Sequence, residues 1–237
     1  MKNLNIISAA VISVVMLATS AFAQDFQKGL EAAQSGDFAT ALQEWRPLAE
    51  QGHADAQFNL GIMYDNGDGV SQDYAEAVKW YQLAAEQGDA YAQGNLGIMY
   101  YKGKGVEQDY AEAAKWYRKA AEQGYAQAQG NLGNMYDNGQ GVPQDYAEAL
   151  RLYRLAAEQG YAIAQYNLGV MYFNGEGSLR KDNSLAYMWF HLLLINGNEL
   201  GGEPRNIAAE EMTPEDISKA QAMARECMSN DYKNCGY

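Results

Sequence analysis

The sequence predicts an all-α protein of stacked helix pairs, and three observations carry that expectation. The stretch Asp73 to Gly88 returns as Asp109 to Gly124 and again as Asp145 to Gly160, at an offset of 36 residues each time. A second stretch, Ala54 to Gly67, recurs from Ala90, Ala126 and Ala162. In both, the apolar residues keep helical spacing: Ala77, Trp80, Tyr81 and Ala84 form one stripe, and Ala56, Leu60, Met63 and Tyr64 another. Repeats of this period bury their apolar faces against neighbouring copies.

Residues 1–23 read as a secretory signal peptide with cleavage after Ala23: Lys2 supplies the positive start, Ile6 to Ala18 the apolar region, and Ala21 to Ala23 the small-residue site. That predicts a periplasmic or secreted protein. No Cys lies beside the cleavage site, which argues against a lipid anchor, and no other apolar run is long enough for a membrane span.

Residues 24–53 look like a degenerate first helix pair. Asp37 to Ala41 stands where Asp73 to Ala77 stands in the next copy, and Pro47 replaces Leu83, which predicts a kink or a division of that helix. Four pairs then fill residues 54–197. In each, the first helix ends at an Asn-Gly or Lys-Gly step, and Asp73, Asp109 and Asp145 cap the second, with Glu76, Glu112 and Glu148 at capping-box spacing. Gly88 sits where a left-handed cap residue is expected. Gly61, Gly97, Gly133 and Gly169 recur inside the first helices, where a glycine costs about 1 kcal/mol against alanine. Their recurrence predicts a neighbour too close for a methyl group.

The fourth pair departs. Its loop carries an extra residue, the capping Glu is replaced by Leu185, and Leu192 to Ile195 makes its second helix unusually apolar. Something must cover it. After a flexible stretch from Asn196 to Glu203, the tail of residues 198–237 supplies a short helix over Ile207 to Met212 and a helix start at Thr213-Pro-Glu-Asp216, so Ile217 to Met228 is expected to cap the stack. Cys227 and Cys235 are the only cysteines, and in an exported chain their close spacing predicts a disulfide rather than a metal site.

The Ala-x-x-Asn-Leu-Gly-x-Met-Tyr element, the Gly-x-Gly-Val loop and the Asp-Tyr-Ala-Glu-Ala-x-x-x-Tyr-x-x-Ala-Ala element resemble the Sel1-like repeat family, relatives of the tetratricopeptide repeat. The resemblance spans roughly residues 37–197. It implies a right-handed α-solenoid of antiparallel helix pairs whose first helices line a concave groove. It also implies a scaffold that binds proteins, peptides or envelope components, though a fold alone does not set a function.

Two sets of residues are candidates for the groove. Asn59, Asn95, Asn131 and Asn167 each precede Leu-Gly; in tetratricopeptide relatives the matching position can face a peptide, since an amide both donates and accepts. The same amides could instead bond a neighbouring helix within the scaffold. Positions that vary between copies are the better ligand candidates: Phe58 and Tyr166 in one row, Tyr91 in a second, Tyr101 and Phe173 in a third. Aromatics with a few polar groups suit a peptide or sugar.

Other patterns read as structure. Met63, Met99, Met135 and Met171 lie on the apolar stripe, as do Trp80, Trp116 and Trp189 with Tyr81, Tyr117 and Tyr153. Ser178 to Lys181 matches the S-x-x-K pattern of serine β-lactamases but lacks its companion elements. Some relatives described as β-lactamases carry a Cys pair in every repeat, and this chain does not. The Asp65 to Gly69 and Asp137 to Gly141 loops fail the calcium-loop pattern. No catalytic set, metal site or cofactor site can be assembled. The net charge of −13 disfavours nucleic acid and anionic membrane. The leading expectation is a non-enzymatic binding module for a peptide, protein partner or cell-wall component, including a sensor domain. The alternative is an envelope hydrolase acting on peptidoglycan or β-lactams.

Overall fold

A computed structural model describes residues 25–177, 179–233 and 235. The predicted signal peptide and Ser178 lie outside them. The described residues form helices and connecting turns without a strand, in two compact units that part between Gln108 and Asp109.

The first unit holds α1 (residues 25–34), α2 (Phe38–Glu50), α3 (Ala54–Asn66), α4 (Tyr74–Glu86) and α5 (Ala90–Lys102). Consecutive helices pack from α2 to α5. Trp45, Leu48, Leu60 and Met63 are buried at one end, with Phe26 and Leu30 of α1 against them. The Trp45 indole donates to the Phe26 carbonyl at 3.2 Å. Trp80, expected in the core, is only half-buried beside this cluster. Pro47 does not divide α2. It lies in the last turn, where its missing N–H deletes a single backbone bond.

The second unit holds α6 (Tyr110–Glu122), α7 (Ala126–Asn138), α8 (Tyr146–Ala157), α9 (Ala162–Asn174), α10 (Asn183–Ile195), a 3-10 turn at Glu199–Gly201, α11 (Gly202–Glu210) and α12 (Pro214–Ser229). Helices α6 to α10 pack in order, and α11 and α12 both pack on α10. Between α9 and the tail, the apolar α10 buries Tyr187, Met188, Trp189, Phe190, Leu192 and Leu193.

The caps follow the sequence with one change. Asp73 accepts from the Ala75 and Glu76 amides, and Asp145 from Ala147 and Glu148. The box glutamates do not reach back. The Asp73 and Asp145 amides already donate to the Tyr64 and Tyr136 carbonyls at 2.9 Å. Glu76, Glu112 and Glu148 instead pair with Lys79, Lys115 and Arg151 one turn on. Gly67 and Gly88 have φ of +85° and +99°.

Three of the recurrent helix glycines receive aromatic rings. A methyl on Gly61 would sit 2.5 Å from the Tyr81 ring, on Gly133 2.9 Å from Tyr153, and on Gly169 2.5 Å from Phe190. The Gly-x-Gly loops make a second close approach. A methyl on Gly105 would lie 2.2 Å from the Tyr74 carbonyl oxygen, and one on Gly141 2.3 Å from the Tyr110 carbonyl carbon. Each loop is thereby pressed against the start of the preceding pair's second helix.

The tail differs from expectation at one point. Its first helix begins at Gly202 instead of near Ile207. Gly201 lies so close to α10 that a methyl there would meet the Phe190 carbonyl oxygen at 2.0 Å. That approach fixes the segment read as flexible. Thr213 caps α12 by accepting from the Asp216 amide at 3.2 Å, and Gln221 donates to the Tyr187 hydroxyl at 3.0 Å. Cys227 and Cys235 form a disulfide within the core of this unit.

Candidate functional site

The buried stripe of α3 clusters with Trp45 and Leu48 of α2, while the candidates Phe58 and Tyr166 lie against an aromatic ring of the second helix of their own pairs. In the first unit, Ala56, Leu60 and Met63 of α3 are buried while Phe58 and Asn59 are half-buried. The Phe58 ring lies 6.0 Å from Tyr81 and 6.1 Å from Tyr91 of α5, within aromatic contact range. Tyr91 is 57 % exposed. Tyr101, a helical turn and more beyond Asn95, is half-buried, and its carbonyl accepts from Gln108 at 2.8 Å.

Asn95 bonds the hydroxyl of Tyr81. That hydroxyl also makes a long contact of 3.5 Å with the Asp65 carboxylate. The second unit repeats the arrangement more tightly. The Tyr153 hydroxyl donates to Asp137 at 3.3 Å and bonds Asn134 and Asn167. Burial, reinforced by the neighbouring carboxylate, pushes both tyrosines above their usual pKa. A tyrosine shifted upward is held as a donor and is not poised as a base or nucleophile. Burial and the charge of Glu176 push the Asp137 carboxyl up as well.

The other candidates separate along α9. Tyr166 is half-buried, its ring 5.8 Å from Phe190 of the core. Phe173 lies seven residues on, about 10 Å along the axis, with the Lys181 ammonium 4.8 Å from its ring centre. Asn131 is half-buried on α7. Phe58 and Tyr91 are therefore brought together, and Tyr166 and Phe173 are not.

Cavities open among the described residues of the second unit. One, of about 430 Å³, is lined by Tyr166, Asn198, Glu199, Leu200, Glu203 and Pro204, so the tail forms one of its walls. Another, of about 330 Å³, opens between α6 and α8 over α7, with Arg118, Glu148, Arg151 and Leu155 in its lining.

A set of repeated polar residues escaped the sequence reading. Gln57, Gln93, Gln129 and Gln165 are buried, and each donates to the carbonyl of the residue eight positions back: Ala49, Ala85, Ala121 and Ala157, at 3.0, 3.0, 3.2 and 3.3 Å. Gln87 and Gln159 donate in turn to the Gln57 and Gln129 side-chain oxygens. These amides add a second donor to helix-end carbonyls that also accept from the Gly52, Gly88, Gly124 and Gly160 amides. Their recurrence at one repeat position was the available signal, as it was for the asparagines.

The histidines also serve structure. His53 caps α3 and stacks on Phe26 at 5.0 Å. His191 stacks on Tyr187 at 5.6 Å, and burial together with Arg205 and Arg225 lowers its pKa. Among the described residues, no group of three or more His, Cys, Asp or Glu is placed to hold a metal ion.

The family model for the Sel1 repeat matches residues 54–89, 90–125, 126–161 and 162–198. Among solved structures, the chain is similar to a protective antigen present in uropathogenic Escherichia coli strains, which displays an SLR fold. The identity is 34 % and the TM-score 0.77, over 92 % of this chain and 48 % of that one. This chain thus spans about half the length of that relative. It is also similar to a Sel1 repeat protein from Oxalobacter formigenes, at 33 % identity and a TM-score of 0.67, over 87 % of this chain and 74 % of that one. No curated protein matches it.

Proposed function

Because the chain belongs to the Sel1 repeat family, we propose that it is a non-enzymatic scaffold of the bacterial cell envelope, holding a peptide, a protein partner or a cell-wall component on the first helices of its repeats. Repeat modules of this kind expose a side-chain surface whose composition varies while the packing between helices does not. The observation that carries the reading is the pair Phe58 and Tyr91. The first is half-buried against Tyr81, and the second stands 57 % exposed beside it. A rigid ring backed by another ring is the type of anchor that dominates binding energy. The internal disulfide supports an oxidising compartment, as does the signal-peptide reading of residues 1–23. No helix among the described residues is long and apolar enough to cross a membrane. The acidic balance favours neutral or basic partners.

The test is chemical crosslinking and capture from intact cells with the wild type and Tyr91→Glu. Tyr91 is the suitable position because Tyr166 rests on the core and its loss would disturb packing. The expected outcome is that the variant loses the captured partner while its melting temperature stays within a few degrees of the wild type. The same partner captured equally by both would overturn the reading.

A further inference from the structure

Resting on the scaffold reading, we propose that the cavity beside Tyr166 is a subsite for a basic side chain, arginine or lysine, of the bound peptide. Its volume of about 430 Å³ exceeds what one such side chain needs, leaving room for neighbouring backbone. Tyr166 lines one side, its ring backed by Phe190 at 5.8 Å. Leu200 and Pro204 offer apolar surface for the methylene stem of the guest, and Glu199 and Glu203 offer carboxylates for its charged end. A cation between an aromatic face and a carboxylate gains from both.

Three further observations point to a cationic guest. Glu199 and Glu203 are exposed, and neither is paired with a cation among the described residues. The nearest arginine in sequence, Arg205, turns its guanidinium to the Asn206 side chain at 2.8 Å and so does not fill the role. The chain as a whole carries a net charge of −13, which draws a basic segment toward it. The wall is also held in place: Asn198 accepts from the Leu200 amide at 3.0 Å, and Gly201 seats the turn directly on α10. A fixed wall lowers the ordering cost of binding.

The test is calorimetric titration of the full chain with the acetylated, amidated pentapeptide Gly-Ala-Arg-Ala-Gly and its norleucine and glutamate counterparts. The arginine peptide is expected to bind about fivefold tighter than the norleucine peptide, the combined effect of one exposed ion pair and one cation–π contact. The glutamate peptide is expected not to bind. Glu199→Gln with Glu203→Gln removes the preference for arginine, Tyr166→Leu weakens it, and Glu210→Gln on the same helix leaves it unchanged. Circular dichroism melting verifies that each variant is folded. Equal binding of the arginine and norleucine peptides, or a preference that survives the double glutamine change, overturns the subsite. If that happens while Tyr91→Glu still abolishes partner capture, the scaffold reading stands without it. If arginine preference is present but Tyr91→Glu captures normally, the subsite stands and the Tyr91 surface does not.

Discussion

The Tyr153 hydroxyl meets the Asp137 carboxylate at 3.3 Å, and Asn167 of the next helix pair bonds the same oxygen. One phenol therefore ties α8 to both first helices beside it. Tyr81 does the same with Asp65 and Asn95 in the first unit. At these two positions the repeated asparagine has a scaffold partner, whatever else it meets.

Tyr153→Phe removes the donor while leaving the ring that packs on Gly133. It strands the Asp137 carboxylate and two amides, and the cost of such unsatisfied groups is about 1–3 kcal/mol. Urea unfolding of the two proteins checks it, with the midpoint falling and the slope unchanged. An unaltered midpoint would show that water replaces the phenol at no cost.

The raised carboxyl of Asp137 sets a pH dependence. The folded chain holds this proton more tightly than the unfolded chain. Its contribution is therefore fully present below the unfolded pKa of about 3.9 and declines as pH rises through the folded value. Asp137→Asn keeps an acceptor for Tyr153 and removes the charge. Its melting temperature relative to wild type is expected to climb from pH 4 toward neutrality, as thermal melts across that range would show. A relative decline would mean that the carboxylate is stabilised by something other than the groups around it here.

Gly61→Ala sets two known effects against each other. The helix gains about 1 kcal/mol in propensity, and overpacking against Tyr81 at 2.5 Å costs about 1–3 kcal/mol. The ring is hemmed in by Phe58, so the cost is expected to win. Gly105→Ala is expected to be worse, because its φ of +70° and its contact with the Tyr74 backbone both resist a methyl. Denaturation midpoints should rank wild type above Gly61→Ala and that above Gly105→Ala.

Gln129→Leu replaces a buried amide of nearly equal volume. The Ala121 carbonyl loses this donor but still accepts from the Gly124 amide, and Gln159 loses one acceptor but still donates to the Leu155 carbonyl, so the cost is expected to be that of one or two ordinary hydrogen bonds, about 1 kcal/mol. Hydrogen exchange should rise at the ends of α6 and α8 before it rises elsewhere. Uniform protection in the variant would count against a local role for the amide.

Reduction of the Cys227–Cys235 disulfide removes a short loop closure worth about 2–3 kcal/mol in the chain-entropy model. Thiol titration after unfolding without reductant should find no free thiol. After reduction, α12 should exchange faster than α10. Two thiols in the unreduced, unfolded protein would contradict the bridge.

The chain's own pattern determined the repeated helices, their aspartate caps, the packing of the tail on α10 and the position of the disulfide, but not the partners of the capping-box glutamates or the start of the first tail helix. The features it determined depend on residues a few positions apart, or on a period repeated often enough to read directly. The tertiary structure alone decided the rest. It showed that aromatic rings fill the space over three of the recurrent helix glycines, that the buried glutamines bond helix-end carbonyls, and that the tail turns at Gly201 to wall a cavity with Glu199 and Glu203. A side chain's polarity states that it needs a partner, but which partner depends on how separate helices approach. That approach is set by packing across many residues at once, such as the contact of Gly201 with Phe190, which no local spacing encodes.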